Sequence, residues 1–107
     1  MDLNLVVVSG RLATLPELRT FQSGSSLLRL LVTVRSDEPR SRVDVIPITV
    51  WDPPESLLDG QLTPGRRVWV AGATQRRFWS TEGGKRSRIE IVANHVEVPP
   101  DLETADS

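Results

Sequence analysis

The sequence predicts an all-β protein, a small closed sheet of five strands with one short helix between the third and the fourth. Three observations carry this. Apolar and polar residues alternate with period two in the long apolar stretches, as in a half-buried strand. Turn formers break the chain at short intervals, at Gly24, Pro39, Gly60, Pro64-Gly65 and Gly83-Gly84. Curvature signals fall inside strands at Gly10, Pro47 and Gly72, where a sheet bends back on itself.

The first strand runs over Leu3 to Leu12, with Val6, Val8, Gly10 and Leu12 on one face and Leu5, Val7, Ser9 and Arg11 on the other. Both faces are apolar over its first half, which predicts burial on both sides, either by the barrel or by a second subunit. Pro16-Glu17-Leu18-Arg19 and Gln22-Ser23-Gly24-Ser25 read as a connecting loop ending in a turn. Phe21, inside it, reads as a lid on the core. The second strand, Ser26 to Ser36, directs Leu28, Leu30, Val32 and Val34 inward, leaving Leu27, Arg29, Leu31, Thr33 and Arg35 outside. A mixed-charge loop follows. In the third strand, Val43 to Trp51, Ile46, Ile48 and Val50 point inward, and Val45, Pro47, Thr49 and Trp51 outward. Pro47 cannot donate to a ladder, so it marks an edge, a bulge or a change of sheet. Asp52-Pro53-Pro54-Glu55-Ser56-Leu57-Leu58 offers a helix of at most two turns, with Asp52 as its cap.

The fourth and fifth strands form a long hairpin, Arg66 to Val98, around the turn Glu82-Gly83-Gly84-Lys85. Its tip carries Arg76, Arg77, Phe78 and Trp79 before the turn and Lys85, Arg86 and Arg88 after it. Leaving two rings in water forgoes about 1.5 to 3 kcal/mol each, which points to a flat, anionic ligand. Five strands and one helix in this order describe the OB-fold, a five-stranded Greek-key barrel. It is assigned to residues 1–98, with an acidic flexible tail over 99–107.

Composition narrows the function. The chain of 107 residues is one domain, and it has no cysteine for a disulfide or thiolate metal site. No signal peptide or membrane-length apolar run is present, so the expected location is cytoplasmic. Net charge is −1, but residues 1–96 alone carry +3, and twelve of the thirteen cations are arginine. Guanidinium both forks onto phosphate and stacks on bases. The single histidine, His95, lies among apolar residues with no cysteine or paired carboxylate motif for company. Neither an enzyme, a metal site nor a cofactor is expected.

Asn4, the run Leu5 to Leu12, Pro16-Glu17-Leu18-Arg19 and Gly24 together resemble the opening of the bacterial single-stranded DNA-binding protein family. Pro64-Gly65, Val70-Ala71-Gly72 and the basic-aromatic hairpin Gln75 to Gly84 resemble its later motifs, so the likeness covers residues 3 to 98. The resemblance implies an OB barrel that wraps single-stranded DNA without sequence preference, in an assembly of four OB folds, by stacking bases on exposed aromatics. Trp51 and Trp79 match the family's stacking positions. Val45 stands where the family often has tryptophan, and the Asp37-Glu38 region lacks an expected aromatic, so weaker binding or a smaller footprint is implied. The usual Gly-, Pro- and Gln-rich linker and acidic tip are not in this sequence. The chain also resembles primosomal replication protein N, a related tailless OB protein that acts as a dimer.

The resulting expectation is a non-enzymatic single-stranded DNA binder acting in replication, recombination or repair. Its DNA contacts are Trp51, Trp79, Phe78, Arg76, Arg77, Lys85, Arg86, Arg88, Arg29, Arg35 and Arg11, with Leu5, Val7 and Trp69 at an oligomer interface. A tetramer is favoured over a dimer. A helicase-docking primosomal adaptor and an OB module used only for protein assembly are the rival readings.

Overall fold

The computed structural model describes residues 1–100. Its elements are β1 (Val6–Leu12), β2 (Glu17–Thr20), β3 (Ser26–Ser36), β4 (Arg42–Trp51), one 3-10 turn (Glu55–Leu57), β5 (Arg67–Thr81) and β6 (Gly84–Glu97). The sheet order is β1-β5-β6-β4-β3-β2, and β1 also pairs with β3. That last pairing closes the five long strands into a ring and leaves β2 as a short flank on β3. The OB architecture read from the sequence is the one observed. All pairings are antiparallel except β4 with β6, which meet in parallel at Ile48↔Ile91 and Thr49↔Val92.

The core is built by the alternating positions. Leu12, Leu28, Leu30, Val32, Ile48, Val50, Val68, Val70 and Ile91 fill the barrel, joined by Leu57 and Leu62 from the β4–β5 connection. Closure demands two close approaches. At Gly10 a Cβ would collide with the Thr33 carbonyl oxygen, and at Gly72 with that of Val92. Gly10 is therefore what lets β1 lie against β3, and Gly72 sits at the register shift that bends β5 over β6. Pro47 stands opposite Leu31, immediately before β4 meets β6. β4 keeps β3 as its partner on both sides of Pro47 and gains β6 on its other edge just beyond it.

Four expectations about the elements need correction. Leu27, placed outside by alternation, is buried, in register with Trp51 on the outer surface. Glu17–Thr20, read as a loop, is a strand paired with β3 from Glu17↔Arg29 to Thr20↔Ser26. Four exposed residues with no apolar alternation carry no strand signal of their own; the long β3 edge supplies the partner. The helix is a single 3-10 turn with Pro54, not Asp52, at its N-cap and no side-chain cap. Asp52 instead takes a left-handed conformation (φ 46°), which short polar side chains tolerate. Its backbone N–H donates to the Ser26 carbonyl at 2.8 Å, and its Oδ1 accepts from the Ser26 N–H at 2.9 Å. The first strand begins at Val6 rather than Leu3, although Asn4 prolongs its alignment. The Asn4 side chain accepts from the Thr74 N–H at 2.9 Å and donates to the Thr74 carbonyl at 2.8 Å, as a backbone amide would.

At the far end, Val98 packs on the core and the Pro99 carbonyl accepts from Arg66 at 3.0 Å. Thus the start of the stretch read as a tail is tied to the barrel, and its part from Asp101 onward lies outside the described residues.

Candidate nucleic-acid interface

The hairpin β5–β6 outgrows the barrel. In β5 buried positions alternate up to Gly72, and from Thr74 to Thr81 every residue is exposed. The register Gln75↔Glu90, Arg77↔Arg88 and Trp79↔Arg86 places these six residues on one face of the ribbon. Arg76, Phe78, Lys85, Ser87 and Ile89 fall on the other. The basic cluster at the tip, continuous in sequence, is thereby split in two. Arg76 is held on the second face by a 3.0 Å hydrogen bond to the Ser87 hydroxyl.

The first face turns toward the outer surface of β3 and β2. Arg19, Arg29, Arg77, Trp79 and Arg88 line one groove of about 300 Å³. They come from four strands. The Arg88 guanidinium lies 6.0 Å from the Trp79 ring centroid, within cation–π range. Arg19 was not singled out as a site residue, because β2 was read as loop. Its Nε donates to Glu17 at 3.2 Å in an exposed pair, a contact that solvent and salt weaken.

Trp51 ends β4 on the same outer surface, opposite Leu27. Its ring centroid is 6.0 Å from that of Phe21, with the planes tilted by 32°. Phe21 is therefore not a core lid. The turn closed by its N–H to the Ser25 carbonyl and by the Gly24 N–H to its own carbonyl carries it onto the outside, beside Trp51. The paired bonds between Asp52 and Ser26 hold the end of β4 against β3, and so hold Trp51 in place. Trp51 is 51% and Trp79 41% exposed, and Phe78 69%.

Arg11 and Arg35 lie elsewhere. With Ser9, Gly10, Thr33 and Arg67 they line a separate cavity of about 290 Å³ where β1 meets β3. Arg11 donates to the Gly65 carbonyl at 2.9 Å. Leu5, Val7 and Trp69 are exposed on the outside of β1 and β5, with Val7↔Ala71 and Ser9↔Trp69 in register. They share one open apolar strip. Val45 is exposed too, opposite Thr33. Among the described residues no group of three or more potential metal ligands occurs, and no helix is long and apolar enough to cross a membrane.

A closed five-strand barrel presenting aromatics and arginines on its outer face defines an oligonucleotide-binding fold. The chain belongs to the single-strand binding protein family, whose model matches residues 3–99. It is 30% identical over 102 residues to the single-stranded DNA-binding protein of Treponema pallidum, covering 91% of this chain and 58% of that protein. With single-stranded DNA-binding protein 1 of Nostoc sp. it shares 27% identity over 100 residues, covering 92% and 84%. The solved Plasmodium falciparum SSB complex with ssDNA has the same fold, with a TM-score of 0.78 at 24% identity over 91% of this chain and 93% of that one. The chain thus spans 58% of the length of the first of these two curated relatives and 84% of the second.

Proposed function

We propose that this chain binds single-stranded DNA without sequence preference, in replication, recombination or repair, by phosphate capture on arginines and base stacking on Trp79 and Trp51. The observation that carries this is the convergence of Arg19, Arg29, Arg77 and Arg88 around Trp79 in one groove. Four like charges drawn together on an open surface repel one another, and a polyanion relieves that repulsion. Each neutralised phosphate adds about 0.7 to the slope of log affinity against log salt for a single strand. Each stacked base contributes about 1 to 3 kcal/mol whatever its identity, since every base has a π-face. Arg86 extends the groove along the ribbon. Arg76, Lys85 and Phe78 serve a strand that passes round the ribbon's other face, and Arg11 and Arg35 one that reaches the β1–β3 cavity.

The strip Leu5, Val7 and Trp69 is the self-association surface. An exposed apolar strip of this kind on strands already paired to each other is covered by a second copy, giving a homo-oligomer, with a tetramer favoured over a dimer. The site of action is the cytoplasm, at the nucleoid.

Titration of the intrinsic tryptophan fluorescence with oligo(dT), at low and high salt, tests the reading. Strong quenching that weakens with salt and shrinks in Trp79→Ala is expected. An emission spectrum indifferent to oligo(dT) at micromolar protein in low salt would remove the DNA reading and leave an assembly module.

A further inference from the structure

One feature of the outer face lies outside stacking and phosphate capture. Glu90 is 6% and Thr49 2% exposed, yet both belong to the outward alternation, since their neighbours Ile91 and Ile48 face the core. Neither Glu90 Oε2 nor Thr49 Oγ1 has a hydrogen-bond partner. A buried carboxylate oxygen without a donor is uncommon in a folded protein, and a functional role is one of the usual reasons for it.

The register locates the pair. Thr49 lies beside Val92 and opposite Arg29, and Glu90 lies two residues from Val92 on the same face, opposite Gln75. Arg88 follows on the same strand and face, with Arg77 opposite it. The register thus sets one carboxylate oxygen and one hydroxyl, both unpaired, on the same face as Arg29, Arg77 and Arg88 and next to them along the strands. A carboxylate is a poor neighbour for phosphate. It is a good acceptor for the amino group of a base.

We propose that Glu90, assisted by Thr49, is a base-reading position beside the arginines of the DNA groove. This rests on the single-stranded DNA reading above. When arginine side chains move onto phosphates, the Glu90 carboxylate is uncovered and accepts a hydrogen bond from an exocyclic amine, as carboxylates do from cytosine N4. Uracil and thymine present a carbonyl oxygen at that edge, which repels a carboxylate. The groove thus tolerates every base by stacking and discriminates among them at one position.

The test compares oligo(dC) with oligo(dU), pyrimidines that differ at this edge and not in the C5 methyl, by anisotropy with the full chain and with Glu90→Gln and Thr49→Val. Glutamine places an amide donor in the site, so the dC-to-dU affinity ratio is expected to fall roughly threefold to tenfold, the range of one net hydrogen bond. The loss of negative charge tightens both oligomers alike and cancels in the ratio. Thr49→Val, nearly isosteric, shifts the ratio in the same direction by less and keeps the question answerable should Glu90→Gln not fold. Unchanged ratios in the folded variants, with both affinities moving together, would overturn the assignment while leaving DNA binding intact. Failure of the unmodified chain to bind oligo(dT), oligo(dC) or oligo(dU) would overturn both.

Discussion

The two halves of the long hairpin belong to the same pair of strands and have opposite fates. From Arg67 to Gly72, β5 alternates buried and open positions, with Val68 and Val70 sealed in the barrel. From Thr74 to Thr81 the strand continues to pair with β6, residue by residue, but both of its faces are open. The difference lies in the neighbours. Over the first part β1 flanks β5 from Val6↔Gly72 to Arg11↔Arg67, whereas beyond Gly72 only β6 remains. A two-stranded ribbon has no inside, so its aromatics stay exposed and free to meet a ligand. Burial stabilises the barrel half; exposure equips the ribbon half.

That contrast is breakable by mutation. The largest expected effect is on the barrel: Leu30→Ala, at a fully buried position, should lower unfolding free energy by about 2 to 5 kcal/mol in urea titrations, and Trp79→Ala by under ~1 kcal/mol, as for an exposed site. Equal losses would mean that the ribbon is part of the cooperative core. Binding should invert the order. In fluorescence or anisotropy titrations Trp79→Ala is expected to weaken oligo(dT) affinity by about 1 to 3 kcal/mol, while Phe78→Ser, next in sequence but on the other face, changes it far less.

Two smaller effects sharpen the comparison. Val45→Trp restores an aromatic on the outer surface of β4; a gain of about 1 kcal/mol in oligo(dT) binding is the outcome expected from one further stacking platform, and no gain would show that the strand does not run over Val45. In salt-dependence measurements Arg77→Gln should lower the slope by about 0.7, and Arg76→Gln, on the face away from the groove, by less than half of that. Identical slopes would mean that the two faces of the ribbon hold the strand equally.

How far the sequence reached can be judged from single residues. Leu28, Leu30 and Val32 were placed in the core by alternation alone, because a strand with one buried face admits only one assignment of its apolar set. Trp51 was legible as an outward aromatic for the same reason, and Trp79 from its place at the tip of the hairpin. Phe21 was not, because a loop residue has no alternation to read and its place depends on how the turn at Gly24 folds back. Arg19 was missed with it. Glu17–Thr20 becomes a strand only because β3 offers an edge, a long-range partner with no local signature.

The sequence by itself determined the five long strands, most of their inward faces, the hairpin with its Gly-Gly turn, and the residue types of the site. Period-two patterning is a local property, and the side chain at each position is read directly. Only the tertiary structure decided which cations act together. Arg76 and Arg77 are neighbours in the chain yet lie on opposite faces, while Arg19, Arg29, Arg77 and Arg88 come from four strands into one groove. Barrel closure sets those distances, and it depends on which strands meet, something no single strand encodes.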